Sequence, residues 1–231
     1  MLSLFIWRLL KMFNKNIFVT ATGTDIGKTY ISALLLKKVR QMGINCGYYK
    51  PALSGAIRQE DGSLLPGDAD FVVKTAGLNI APEDCVTYCF EEAVSPHLAA
   101  ERIGVNIELD KIKQHYNCLC EQYDLMLVEG AGGITCPFNL SGQILLLPDV
   151  IRALDTDVIL VADGGLGTIN SVLLTYEYGK SHNINIIGII YNNYDPDNFM
   201  HIDNVKQIEK LTGLKTLAKV KKGDIDIKLI I

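Results

Sequence analysis

Lysine, threonine and glycine stand together at Gly27-Lys28-Thr29, in the stretch Ala21-Thr22-Gly23-Thr24-Asp25-Ile26-Gly27-Lys28-Thr29 that joins an apolar run to a helical pattern. Such a loop can turn backbone N–H groups toward phosphates. A helix N-terminus stands behind it, a lysine offsets charge and a hydroxyl is available to Mg²⁺. The usual opening glycine, five residues before Gly27, is Thr22 here. It is the strand–helix setting, more than the tripeptide, that makes nucleotide binding the expected chemistry. Glu129 follows the apolar run DLMLV and precedes Gly130-Ala131-Gly132-Gly133. A carboxylate there can hold Mg²⁺, while the glycines let backbone approach a ligand. Lys50 ends a second run, and Asp68 opens a helix after a long loop, where an acid can also serve as an N-cap.

These residues need elements to position them. Asn16–Thr20 reads as a buried strand, and the helix from about Lys28 carries Ile31, Leu34, Leu35 and Val39 on one stripe until Gly43 stops it. A second strand is expected near Gly47–Lys50, with Pro51 opening a loop. Leu125–Val128, Val158–Ala162 and Ile186–Tyr191 are nearly continuous apolar runs, which suit parallel strands covered on both faces. Helical patterns lie between them at Leu109–Tyr123 and Ile169–His182. The expected fold is α/β, a P-loop NTPase-type doubly wound, mostly parallel sheet with helices on both faces.

With 48% hydrophobic and 21% charged residues, the 231-residue chain has the apolar content for a sizeable core, which excludes a disordered chain. Its net charge of −4 offers nucleic acid or an anionic membrane no electrostatic attraction. No run approaches the ~18 apolar residues that span a bilayer. Six cysteines form no CxxC pair and no zinc spacing with the four histidines, so reduced thiols in a cytoplasmic protein are expected. Residues 1–11 are broken by Arg8 and lack a basic leader region, and Met12 lies just ahead of the first strand. They read as a non-core N-terminal extension, with residues 12–231 forming one P-loop α/β domain.

The segments FVTATGTDIGKT, GYYKPALSG, VSPHLAA, LVEGAGGI and GLGTIN, and the strand ending Tyr191-Asn192-Asn193, follow one another from about Phe18 to Asn193. In these, the chain resembles the ATP-dependent dethiobiotin synthetases. The resemblance implies a homodimeric ligase of biotin biosynthesis that converts diaminopelargonic acid, CO₂ and ATP to dethiobiotin, ADP and phosphate. It further implies a carbamate, then a carbamic–phosphoric anhydride, then closure of the ureido ring. By the same resemblance Lys28 lies on the β- and γ-phosphates and Lys50 near the carbamate and γ-phosphate. Thr24 contacts the carbamate, Ser54 binds substrate, and Thr29, Asp68 and Glu129 serve Mg²⁺. Asp70 competes with Asp68 for the metal, and Asp68 is preferred because it precedes the alanine.

The ATP contacts implied are Asp25, Ile26, Gly27, Lys28, Thr29, Tyr30, Asp68, Glu129, Gly130, Ala131 and Gly132, with Asn192 and Asn193 at the adenine. Gly167, Thr168, Ile169 and Asn170 match a helix start that receives the substrate carboxylate across a dimer interface. His97, in the SPH segment, is expected to pack rather than to catalyse. Three departures stand out: Ala21 where the family often has glycine, Asp25 where glutamate is frequent, and LAKVKKGD where relatives often carry a Gly-x-Ile-Pro turn beside the base. The alternative is a dimeric partition-type or metallochaperone-like P-loop switch ATPase. Those proteins commonly carry a second lysine at the start of the loop, where this chain has Gly23.

Overall fold

The computed structural model describes residues 16–230, so the extension expected over residues 1–11 lies outside the described residues. The chain runs β1 (Asn16–Ala21), α1 (Lys28–Gln41), β2 (Cys46–Ser54), β3 (Ile57–Arg58), β4 (Leu64–Leu65), α2 (Gly67–Ala76) and a 3₁₀ turn (Pro82–Cys85). It continues β5 (Val86–Phe90), α3 (Pro96–Arg102), α4 (Leu109–Cys120), β6 (Leu125–Glu129), β7 (Pro137–Asn139), β8 (Leu145–Leu146) and α5 (Leu147–Ala153). It closes with β9 (Asp157–Asp163), α6 (Thr168–Ser181), β10 (Ile186–Asn192), α7 (Phe199–Thr212) and β11 (Thr216–Lys219).

Seven strands form one sheet in the order β11-β10-β9-β1-β6-β2-β5, and every pairing in it is parallel. Side chains alternate between two cores because successive residues of a strand point to opposite faces. Ile17, Val19, Leu125, Leu127, Ile159 and Val161 pack with Ile31, Leu34 and Leu35 of α1 and Val72 of α2. Phe18, Met126, Val128, Val158 and Leu160 pack on the other face with Ile112 of α4, Val150 of α5, Val172 of α6 and Ile208 of α7. This two-sided covering explains the unbroken apolar runs, and the fold is α/β with helices on both faces.

Two findings differ from the sequence reading. First, β2 continues through Pro51 to Ser54 instead of ending at Lys50. Its pairing with β6 stops at Tyr49, opposite Val128, and beyond that β5 alone continues the ladder, from Lys50 to Ser54. Past the end of one neighbour, a proline's missing N–H costs no ladder hydrogen bond. Second, β5, β11, α5 and α7 are additional elements, the two strands forming the sheet's edges.

The chain path decides where a ligand can bind. From β1 it moves out to β2 and β5, returns as β6 between β1 and β2, and then crosses to β9, β10 and β11. Loops after β1 and β6 therefore open where the path reverses, at the carboxyl ends of parallel strands, where open α/β sheets bind ligands.

Candidate active site

The loop after β1 turns through two residues of positive φ. Asp25 has φ 60° and Gly27, the N-cap of α1, has φ 95°. Gly27 answers a second demand: a Cβ added there would overlap the Nδ2 of Asn192. That amide, at the end of β10, donates to the Ile26 carbonyl at 2.9 Å and braces the loop from across the sheet. The Asn192 Oδ1 is buried and has no hydrogen-bond partner among the described residues. Lys28 folds back so that its Nζ donates to the Gly23 carbonyl at 3.1 Å. Burial presses its pKa below the ordinary lysine value; Lys50 adds to this and Glu129 opposes it. A phosphate arriving beside Lys28 would favour the charged amine.

Behind the loop lies a charged network. Glu129, at the end of β6, is 0% exposed. Its Oε1 accepts from Thr29 Oγ1 at 2.7 Å and from Lys50 Nζ at 2.7 Å, and its Oε2 accepts from Tyr48 OH at 3.0 Å. Lys50 also donates to Asp68 Oδ2. Strand periodicity makes this convergence possible, since Tyr48 and Lys50 on β2 share a face and look at the last residue of β6. Burial pulls the Lys50 pKa down, but Glu129 and Asp68 together outweigh it and hold the ammonium above its usual value. Burial, with Glu129 adding to it, pushes Tyr48 well above the ordinary tyrosine range, so its phenol keeps its proton and donates.

A cleft of about 900 Å³ collects Thr24, Asp25, Gly27, Lys28, Thr29, Tyr30, Lys50, Ser54, Asp68, Glu129, Ala131 and Gly132. Cys136, Phe71, Ser95 and Pro96 line it as well, which the sequence reading did not anticipate. Burial pushes the Cys136 thiol up to about 11, so it is no nucleophile at neutral pH. Among the described residues none of the six cysteines is paired. Tyr30 stacks on Phe71 with ring centroids 6.3 Å apart, and its hydroxyl donates to the Asp224 carbonyl. Asp68 faces the cleft, whereas Asp70 pairs with Lys74 one turn along α2, at 2.7 Å.

Other expected residues, namely Ile26, Gly130, Asn192, Asn193 and Gly167–Asn170, are not among the described residues that line the cleft, although Ile26 and Gly130 are chain neighbours of residues that do, and Asn192 bonds to Ile26. Asn193 donates to Asp163 at 3.1 Å, and Gly167 caps α6 with φ 88°. His97 lines a separate small cavity. Tyr48 is the participant that sequence reading passed over. Its signal was present: a residue two before Lys50 on a strand shares the lysine's face.

No group of three His, Cys, Asp or Glu side chains able to hold a metal by themselves occurs among the described residues. Thr29, Glu129 and Asp68 nevertheless supply hard oxygen donors beside the loop. That set suits Mg²⁺, which takes one or two carboxylates and completes its shell with water and phosphate oxygens. The Thr29 proton points to Glu129, which leaves the hydroxyl lone pairs free for a cation. No helix among the described residues is long and apolar enough to cross a membrane.

Comparison with known proteins adds to this geometry. A family model described as an AAA domain matches residues 15–224. Among solved structures, a ParA family ATPase from Chlorobium tepidum TLS superposes with TM-score 0.51 at 17% identity, covering 89% of this chain and 84% of that one. The signal recognition particle receptor FtsY from Elizabethkingia anophelis, in complex with GDP, gives TM-score 0.55 at 14% identity, covering 94% and 60%. At such identities the likeness is one of fold, and it lends the switch-ATPase alternative no support. Two ATP-dependent dethiobiotin synthetases of Clostridium botulinum are far closer in sequence. That of strain Alaska E43 is 47% identical over 93% of this chain and 95% of its own, and that of strain 657 is 49% identical over 84% and 85%. With nearly half of the residues identical along almost the full length of both chains, this chain belongs to the ATP-dependent dethiobiotin synthetase family.

Proposed function

We propose that the chain carries out the ATP-dependent carboxylation and ring closure of diaminopelargonic acid with CO₂, giving dethiobiotin, ADP and phosphate in the cytoplasm. One substrate amine adds to CO₂ and loses a proton to give a carbamate. A carbamate oxygen attacks the γ-phosphorus as the bond to ADP breaks. The second amine then attacks the carbamoyl carbon, loses its proton and expels phosphate. The observation that carries this reading is the pair Lys28 and Lys50 in one cleft, Lys50 held by Glu129 and Asp68. A carbamate and a triphosphate repel each other, and two fixed cations can offset that repulsion without reorganising.

In this reading Lys28 holds the β- and γ-phosphates, Lys50 meets the charge that develops between carbamate and γ-phosphate, and Thr24 and Ser54 orient the diamine. The Ser54 hydroxyl is buried without a partner among the described residues, which leaves it free for a ligand. Thr29, Glu129 and Asp68 would hold Mg²⁺. When bound, the ion supplies positive charge to the phosphate oxygens. Asp25, Ile26, Tyr30 and the Gly130–Gly132 backbone frame the nucleotide, and Asn192 and Asn193 lie at the base. The unpartnered Asn192 Oδ1 can accept from an exocyclic amine. Gly167, Thr168, Ile169 and Asn170 present the N-terminus of α6 to the substrate carboxylate of a second copy in a homodimer. They do not line the cleft of their own chain, and the 92% exposure of the adjacent Leu166 agrees with a partner there. Neither nucleic acid nor membrane is a partner in this scheme.

The test is to incubate purified protein with diaminopelargonic acid, bicarbonate and MgATP, following phosphate and product mass. Diamine-dependent phosphate release with dethiobiotin formed is expected. Brisk hydrolysis indifferent to the diamine would overturn the reading in favour of a switch ATPase. A second expectation separates the neighbouring acids. Asp68→Asn should raise the Mg²⁺ concentration needed for half-maximal turnover. Asp70→Asn should leave turnover within about twofold, because its surface ion pair with Lys74 contributes little. The reverse ranking would move the metal role to Asp70.

A further inference from the structure

We infer that Tyr48 is a positioning residue: its buried hydroxyl occupies one oxygen of Glu129 and so aims the other at the nucleotide site. The inference rests on the proposal that Glu129 serves the divalent ion. The Glu129 side chain is fully buried, with its two oxygens used differently. Oε1 meets Thr29 and Lys50, both of which line the cleft. Oε2 accepts from Tyr48 alone among the described residues, and Tyr48 does not line the cleft.

A carboxylate can turn about its last bond, and in a dry interior an oxygen without a donor is costly. A single phenol donor on the far oxygen therefore opposes rotation and leaves Oε1 toward the cation and phosphates. Tyr48 is itself packed in place, because it is fully buried and its strand pairs with β6 at this level, opposing it to Leu127. Outer partners of metal-binding groups commonly set affinity in this way.

Tyr48→Phe removes the hydroxyl and keeps the ring. The measurement is Mn²⁺ binding, by electron paramagnetic resonance, to the complex of the full-length protein with a non-hydrolysable ATP analogue. Binding of the same analogue without metal is measured alongside. Mn²⁺ affinity should fall by about tenfold or more in Tyr48→Phe, while metal-free analogue binding stays within about twofold. Unchanged Mn²⁺ affinity, or an equal loss in both measurements, would overturn the role. Wild-type protein that takes up no Mn²⁺ with the analogue would instead remove the metal reading on which the inference rests. The double variant Tyr48→Phe/Glu129→Gln supplies a further check, since a hydroxyl acting through Glu129 should add little loss beyond Glu129→Gln alone. Fully additive losses would count against it. Were Tyr48→Phe to misfold, recovery of folding in the double variant would support the link, and misfolding of both would overturn it.

Discussion

Lys50→Ala is expected to slow dethiobiotin formation by at least ~10²-fold, the scale seen when one preformed donor to a developing charge is lost. The reason lies in the position of the ammonium. It is buried, stays protonated beside Glu129 and Asp68, and faces the cleft that also holds Lys28. No solvent cation can take its place without reorganisation. Truncation also leaves the 0%-exposed Glu129 without its cation, a change that costs about 3–5 kcal/mol when a buried pair is broken. Chemistry and folding are separated by measuring ADP binding and the melting temperature on the same sample. Slow turnover with ADP binding retained assigns the loss to the chemical step. Near-normal turnover would remove Lys50 from the mechanism.

Gly27→Ala is the second large effect. Its φ of 95° strains any L side chain by about 1–3 kcal/mol. The added methyl would also displace Asn192, whose 2.9 Å bond to Ile26 contributes about 0.5–1.5 kcal/mol. Together these should lower the melting temperature by about 5–15 °C in a chain of this size. ATP affinity should fall by about 10²-fold, because a loop distorted by ~3 kcal/mol no longer aims its N–H groups at phosphate. Gly62→Ala is the control. It shares a positive φ but meets nothing within 4 Å, so it should melt lower without weakening ATP. Isothermal titration and thermal denaturation of both variants decide the matter. Equal ATP affinity in Gly27→Ala and wild type would refute this account of the loop.

Much of the scaffold was legible along the chain. Phosphate-loop chemistry is local, so Gly27, Lys28 and Thr29 announce it from three adjacent positions. The central strands are also legible, because burial on both faces leaves no polar alternation to confuse with a helix. The edges were not. β5 and β11 have one strand neighbour each; β5 alternates buried and half-buried residues, and β11 has only four residues and ends on an exposed lysine. Pro51 misled for a related reason. Proline argues against a central strand, and only the length of β6 reveals that β2 lacks its second neighbour there.

By itself, the sequence determined the kind of fold, the phosphate loop, and a resemblance that drew attention to Lys50, Asp68 and Glu129. Those conclusions rest on residue types at short spacing, where local geometry leaves few choices. Only the tertiary structure decided which side chains meet. Asp68 and Asp70 are two residues apart, about 200° around a helix, so packing of α2 turns one to the cleft and the other to Lys74. Tyr48 reaches Glu129 across 81 residues, and Asn192 reaches Ile26 across 166. Both contacts depend on strand register and strand order, which are set by the simultaneous burial of two cores and have no signature in any local stretch of sequence.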